Sequence, residues 1–309
     1  MINTINDDQC CTISSTTSIQ AGIDVNDNQK SLISKSTITL WLLLIGLFSG
    51  LYSNSVIAAT TSYWNKSNES MAADIDHSQW QYILNRYLIM GENNVAINLF
   101  NYSGVTNVDK AILKQYLTQI QQVNPLQHTK SQQQAYWINL YNALTIQLIL
   151  DNYPVKSITK LGKRFFSFGP WDDDAVTVND KTLSLNDIEH EILRPIWLDP
   201  RIHYAVNCAS YGCPNLAATA FTANNMEQLL TASAYAYINN PRGVTVKGDD
   251  LEISSIYKWY SEDFGDNDQA LIEHLKRYAK PNLKQALQSF QNNPGDIDYE
   301  YDWRLNQSE

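Results

Sequence analysis

Cysteine is scarce in this sequence: there are four in 309 residues, and two of them, Cys10 and Cys11, fall in a polar leader. Beyond the leader only Cys208 and Cys213 remain, five positions apart. The C-x4-C spacing lacks a second ligand pair, which argues against a closed zinc site, although His203 or His190 could add a ligand. No glycine-rich phosphate loop follows a strand and opens a helix, which argues against a nucleotide cofactor. Haem and pyridoxal-phosphate signatures are also missing, so neither a cofactor nor a metal is expected. Basic residues are few as well, with 22 Lys and Arg against 32 Asp and Glu and a net charge of −10. Past the leader the balance is 28 acidic against 20 basic side chains. Phosphate binding needs a basic footprint, so nucleic acid is not an expected partner. No internal repeat is present, and no low-complexity tract outside the leader.

Residues 1–36 are rich in Ser, Thr, Asn, Asp and Gln and have no apolar periodicity. Such a segment cannot offset the entropy of ordering and reads as a disordered leader. Residues 37–59 read as a signal peptide or a membrane anchor. An apolar run from Ile38 to Tyr52 follows Lys30 and Lys35 and ends before Ala58-Ala59, the small residues of a signal-peptidase site. The run is shorter than the roughly 20 residues of a membrane span, which favours cleavage. Either way the chain from about residue 60 is expected to be exported, periplasmic or extracellular, touching a membrane only through an uncleaved N-terminal segment. Residues 60–309 are long enough to bury a sizeable core and read as one continuous domain.

Within it, helical spacing predicts a helix from Ser78 through Leu88 and a second from Val108 to Val123, ended by Asn124-Pro125. A third, from about Ser131 to Leu150, is apolar nearly all round and belongs at the centre of the domain. Ala175–Val178 and Lys181–Leu183 form a hairpin about Asn179-Asp180, within a loop region that includes Arg164-Phe165-Phe166 and Asp172-Asp173-Asp174. Ser184, with Asp187 three residues on, opens a helix ending at Arg194-Pro195. Ile202–Cys208 reads as a short buried strand. A helix over Asn224–Ile238, a hairpin over Gly243–Ile253, helices near Ser254–Tyr260, Gln269–Tyr278 and Pro281–Phe290, and a closing strand over Ile297–Asn306 complete the pattern. Helices dominate and strands are few, so the fold class is α+β: a helix-rich single domain around a small mixed or antiparallel sheet.

The chemistry concentrates in Asp199–Pro214, which carries Arg201, His203, Asn207, Cys208, Ser210 and Cys213. On a regular strand His203 and Cys208 face opposite sides and lie roughly 16 Å apart, which forbids a dyad between them. Glu189 and His190, on the preceding helix, supply a carboxylate and another imidazole. A cysteine served by a base that a third group orients is the apparatus of nucleophilic catalysis. The competing readings are a Cys208–Cys213 disulfide, since paired cysteines of exported proteins are commonly oxidised, and a structural role for each histidine. Asp263-Phe264-Gly265 reads as a helix-terminating turn, and the Asp172–Asp174 run as a solvated loop.

The helix Tyr136-Trp137-Ile138-Asn139-Leu140-Tyr141-Asn142-Ala143-Leu144-Thr145, the segment Ser184–Arg194 and the Asp199-Pro200-Arg201-Ile202-His203 stretch together resemble the domain of unknown function 547 family. Asp263-Phe264 and Tyr301-Asp302-Trp303 also fit. The resemblance covers about residues 125–265 and, as its name says, implies no assigned activity. Its polar motif positions fall on Asn139, Asn142, Glu189, His190, Arg201, His203, Asn207, Cys208, Ser210 and Cys213. A distant similarity to papain- and transglutaminase-like folds would place a nucleophilic cysteine on the central helix. This chain has Asn139 and Asn142 there instead. The resemblance thus leaves two options, a nucleophile relocated to Cys208 or a cleft that only binds.

Two functions follow as expectations. One is a cysteine-dependent hydrolase or acyl transferase acting on an amide or ester in the cell envelope. It uses Cys208 as nucleophile, His190 or His203 as base, Glu189 as orienter and Asn142 or Asn207 near an oxyanion site. The other is a non-catalytic envelope domain for ligands or proteins, stapled by a Cys208–Cys213 disulfide. In either case the partner is a small molecule, a peptide or a glycan met by the Tyr- and Trp-rich surface.

Overall fold

Helix Lys130–Asn152 runs through the middle of the structure with residues buried on every face, among them Tyr136, Trp137, Ile138, Leu140, Ala143 and Ile146. The computed structural model describes residues 62–162 and 168–308. The expected leader and signal or anchor segments, and Arg164-Phe165-Phe166, lie outside the described residues. Trp64–Glu309 forms one unit. Among the described residues no helix is long and apolar enough to cross a membrane.

The central helix starts at a capping box, in which the Thr129 hydroxyl accepts from Gln132 N–H and the Gln132 side chain accepts from Thr129 N–H. Helices Ser78–Tyr87 and Asn107–Ile120 pack against one another, and the second also packs on the central helix, at the positions the periodicity predicts. Met226–Ile238, Asp268–Tyr278 and Pro281–Asn292 complete the longer helices. The strands make small sheets. β1 (Leu88–Ile89) and β2 (Leu99–Phe100) pair antiparallel, as do β3 (Val176–Val178) and β4 (Lys181–Leu183). β5 (Val244–Lys247), β6 (Asp250–Ser254) and β7 (Ile297–Glu300) form a mixed sheet with β7 parallel to β6. The α+β class therefore stands. The β3–β4 turn is made by Asn179 and Asp180, both at positive φ, the conformation a two-residue hairpin requires.

Two elements depart from the sequence pattern. The helix after Ser184 is wide: Asp187–Leu193 is a π-helix, and Arg194 N–H donates to Glu189 C=O five residues back. The wide turn ends where Pro195, which has no N–H, opens a single α-helical turn, Arg194–Trp197, closed by Leu198 N–H to Arg194 C=O. The expected strand Ile202–Cys208 does not form. Pro200–Tyr204 is a 3-10 helix whose entry is capped by Asp199, which accepts from Arg201 N–H at 2.9 Å. An acidic cap followed by proline at the first helical position outweighs the apolar run that suggests a strand. The bonds Ala205 N–H to Ile202 C=O and Val206 N–H to Ile202 C=O then turn the chain into an irregular loop.

The 3-10 helix packs on Met226–Ile238 and sends Tyr204 into a buried aromatic group, where its hydroxyl lies 2.9 Å from His274 Nε2. Burial, with the charge of Arg277, holds the His274 imidazole down to about 4. Between pH 6.5 and 4 the unfolded chain binds a proton here that the folded chain refuses, so stability falls as pH drops through that window. The contribution is roughly 2–3 kcal/mol by pH 4. Urea unfolding at pH 7 and pH 4 should show His274→Gln losing that much less than the wild type on acidification. Equal losses would remove His274 as the cause.

Candidate active site

Cys208 is part-buried in the loop that follows the 3-10 helix, and two hydroxyls and a second thiol surround its sulfur. Ser210 Oγ, Tyr301 Oη and Cys213 Sγ each lie 3.1 Å from Cys208 Sγ, and Ser210 Oγ and Tyr301 Oη are 2.9 Å apart. Cys208 N–H donates to Cys213 Sγ at 3.0 Å. Both cysteines are free thiols. Burial alone would raise the Cys208 pKa, but hydrogen bonds from Cys213, Ser210 and Tyr301 outweigh it and hold the thiol below its ordinary value. Burial and the neighbouring Cys208 push the Cys213 thiol the other way, well above its ordinary value.

The loop is held in place by asparagine side chains that serve backbone groups. Asn142 of the central helix donates to Ala205 C=O at 2.9 Å and accepts from Asn207 N–H at 2.8 Å. Asn207 donates to Pro214 C=O at 2.7 Å and accepts from Ala209 N–H at 2.9 Å. Ala209, directly after Cys208, has φ +59, a left-handed conformation that costs an alanine about 1 kcal/mol and that these bonds impose. The C-terminal tail closes the other side. Tyr211 N–H donates to Arg304 C=O and Gly212 N–H to Asp302 C=O at 2.8 Å, while Ser210 bridges to Leu305. A Cβ on Gly212 would sit 2.7 Å from Asp302 N, so only glycine admits the tail this closely. This docking brings Tyr301 to the sulfur.

Glu189, His190 and His203 form a different cluster. His203, bent away by the 3-10 turn, stacks on Tyr260 at 4.1 Å, and its Nε2 lies 2.6 Å from Asp263 Oδ2. Its Nδ1 approaches Glu189 Oε1 at 3.5 Å, an electrostatic contact without hydrogen-bond geometry. Arg194 donates to the same Asp263 oxygen at 2.6 Å and to His190 Nδ1 at 3.1 Å. Burial would raise the Glu189 pKa, but the charges of His190, His203 and Arg194 hold it at about 2. The same balance, with His203 and Arg194 opposing burial, keeps Asp263 well below the usual carboxylate range.

Neither imidazole is a hydrogen-bond partner of Cys208, so the geometry does not supply the expected base. Glu189 does face an imidazole, but one committed to Asp263. Asn142 and Asn207, expected near an oxyanion site, each donate to one backbone carbonyl and accept from one backbone N–H of the loop. Asn139 is likewise occupied, donating to Phe221 C=O at 2.8 Å and accepting from Phe221 N–H at 3.0 Å. Arg201 pairs with Asp199 and Glu227. Ser210 and Cys213 do meet Cys208. Among the described residues no group of three or more His, Cys, Asp or Glu is placed to hold a metal ion.

Sequence reasoning missed Tyr301, Asp263 and Tyr141. Tyr141, buried on the central helix, links the two clusters electrostatically: Glu189, Cys208 and Cys213 all add to the burial that raises its pKa. The sequence signals for Tyr301 are the alternation Tyr299, Tyr301, Trp303 and the fit of Tyr301-Asp302-Trp303 to the family resemblance. Its ring packs against Trp303 at 4.5 Å and Trp259 at 4.9 Å, and Trp303 continues to Trp171 at 5.7 Å. These four rings are part-exposed, making an aromatic surface that begins at the Cys208 centre.

Residues 125–238 match the model of a family described as "Protein of unknown function, DUF547". No curated protein and no solved structure matches the chain. The match contains the central helix, Glu189, His190 and the whole Asp199–Pro214 segment; Asp263 and Tyr301 lie outside it.

Proposed function

Taking residues 125–238 as a DUF547 family domain, we propose that the chain is a cysteine-dependent hydrolase or acyl transferase of the cell envelope, with Cys208 as nucleophile. The observation that carries this reading is the convergence of two hydroxyls and a second thiol, each 3.1 Å away, on one part-buried sulfur. A thiolate stabilised in this way is ready to attack without a proton-abstracting imidazole. Attack on a carbonyl carbon forms a thioester and expels the leaving group, and water or a second nucleophile then releases the acyl group. Because no imidazole is bonded to the sulfur, no strong general acid stands ready for a leaving amine. Within the amide-or-ester class this favours esters, whose leaving groups depart with less proton assistance. Glu189, His203 and Asp263 hold the helix and loop that frame the centre and take no part in the chemistry.

Export rests on the N-terminal apolar run and its small-residue ending, and the ligand surface on the part-exposed Tyr301, Trp303, Trp259 and Trp171. That surface also supports the second reading, an envelope domain that binds a peptide, glycan or small molecule without turnover. Incubating the reduced protein with p-nitrophenyl acetate separates the two. An acetyl group should appear on the tryptic peptide Ile202–Arg242, and Cys208→Ala should abolish it. No adduct, together with alkylation by iodoacetamide no faster than that of a simple thiol, would leave the binding reading.

A further inference from the structure

The second thiol has no part in acyl transfer beyond its hydrogen bond, yet it lies as close to Cys208 as the two hydroxyls. We propose that Cys208 and Cys213 are a site of reversible oxidation by small peroxides, Cys208 taking the oxygen and Cys213 resolving it into an intrachain disulfide. The inference shares Cys208 with the acyl-transfer reading but rests on the sulfur pair alone.

The geometry assigns the roles. Cys208 is part-exposed and flanked by two hydroxyls, and is the more acidic of the two thiols, so it is the one that meets an oxidant from solvent. Cys213 is buried, with 3% of its surface exposed, and stays protonated while Cys208 is an anion. A disulfide needs the sulfurs to close from 3.1 Å to about 2.05 Å. The intervening turn is already closed by the bond from Cys213 N–H to Ser210 C=O at 3.1 Å. The sulfurs then have about 1 Å still to close.

The steps balance with hydrogen peroxide as oxidant. The Cys208 thiolate attacks one peroxide oxygen; the O–O bond breaks, an S–O bond forms, and hydroxide leaves to take a proton from solvent. Cys208 is now a sulfenic acid, oxidised by two electrons while the peroxide is reduced. With the neighbouring negative charge gone, Cys213 gives up its proton more readily and attacks the Cys208 sulfur. The S–O bond breaks, hydroxide leaves with that proton as water, and the S–S bond forms. A dithiol reductant reverses the reaction by exchange.

Trypsin leaves both cysteines on the single peptide Ile202–Arg242, which contains no internal Lys or Arg. After the full chain is treated with one equivalent of hydrogen peroxide, this peptide should be lighter by two hydrogens, and dithiothreitol should restore it. In Cys213→Ala the same treatment should leave a sulfenic acid on Cys208, captured as its dimedone adduct. A wild-type peptide that keeps both thiols, or gains oxygen on Cys208 without closing the disulfide, overturns the proposal. Because the acetylation experiment is run on reduced protein, its failure leaves this inference standing. A failed disulfide with intact acetylation sinks only the redox site.

Discussion

Replacing Asn142 by alanine should lower the unfolding free energy by about 3–5 kcal/mol and disorganise the loop that carries Cys208. The expectation follows from two hydrogen bonds. Asn142 is 2% exposed, and its amide is the partner of both Ala205 C=O and Asn207 N–H. Ala205 and Asn207 are themselves buried, so truncation strands one acceptor and one donor away from water. Each orphaned group costs about 1–3 kcal/mol, and the vacated volume adds to the loss. Against a typical total of roughly 5–15 kcal/mol the variant still folds, but with little reserve. Asn139→Ala is the control, because it strands the same two kinds of group on Phe221. Urea unfolding should show comparable losses for both variants, at unchanged m-value. Iodoacetamide kinetics under native conditions should separate them, with the Cys208 rate disturbed only in Asn142→Ala. A loss below about 1 kcal/mol for Asn142→Ala would mean that water replaces the amide and that the loop does not depend on the central helix.

The contrast between these two asparagines shows what was legible in the sequence. Their presence on a helix apolar nearly all round marks them as unusual, since a buried amide must be satisfied. The pattern does not say by what. A catalytic cleft and a backbone clamp place the same demand on residue type, and only the loops opposite decide between them. The local signals were read correctly where they are chemically exclusive. Asn179-Asp180 needs two positive φ angles and forms the hairpin turn, and the Lys130–Asn152 helix is buried on all faces because apolar residues run round most of its circumference. The segment Ile202–Cys208 misled because burial, and not alternation, explains its apolar run. Its conformation is set by Asp199 and Pro200 just upstream.

The site was legible only within its own segment. Ser210 and Cys213 reach Cys208 because the turn is short. Tyr301 is 93 residues away and arrives through the docking of the tail on Gly212; Asp263 is 60 residues from His203. The separation of the two clusters follows from the same facts. Once the chain turns at Pro200, His203 is committed to the face carrying Tyr260 and Asp263. The sulfur is left facing hydroxyls, so ionisation of Cys208 depends on neutral donors and not on an imidazole. Such a centre has no imidazolium to lose as pH rises, so its reactivity should rise as Cys208 ionises, with the Cys213 thiol ionising only at higher pH.

The Cys208 reaction rate should therefore fall by about 10- to 100-fold at neutral pH when Tyr301 is replaced by phenylalanine, and by a similar factor for Ser210→Ala. A hydrogen bond to a charged group is worth about 1.5–3 kcal/mol, and each 1.36 kcal/mol is one pKa unit. Both hydroxyls favour the thiolate, so removing either raises the thiol pKa. Below that pKa the thiolate fraction falls tenfold for each unit. Phenylalanine keeps the ring that packs on Trp259 and Trp303, so the tail stays docked and the comparison isolates the hydroxyl. The two effects should not add in the double variant, because Ser210 Oγ and Tyr301 Oη are 2.9 Å apart and each can reorient toward what the other leaves. The measurement is the iodoacetamide rate across pH 5 to 11. Loss of thiolate stabilisation predicts a midpoint displaced upward in each variant and a plateau at high pH equal to or above the wild type, since a more basic thiolate is intrinsically the better nucleophile. A rate reduced by the same factor at every pH would point to blocked access to the sulfur. An unshifted midpoint would remove these hydroxyls as the source of the Cys208 thiolate.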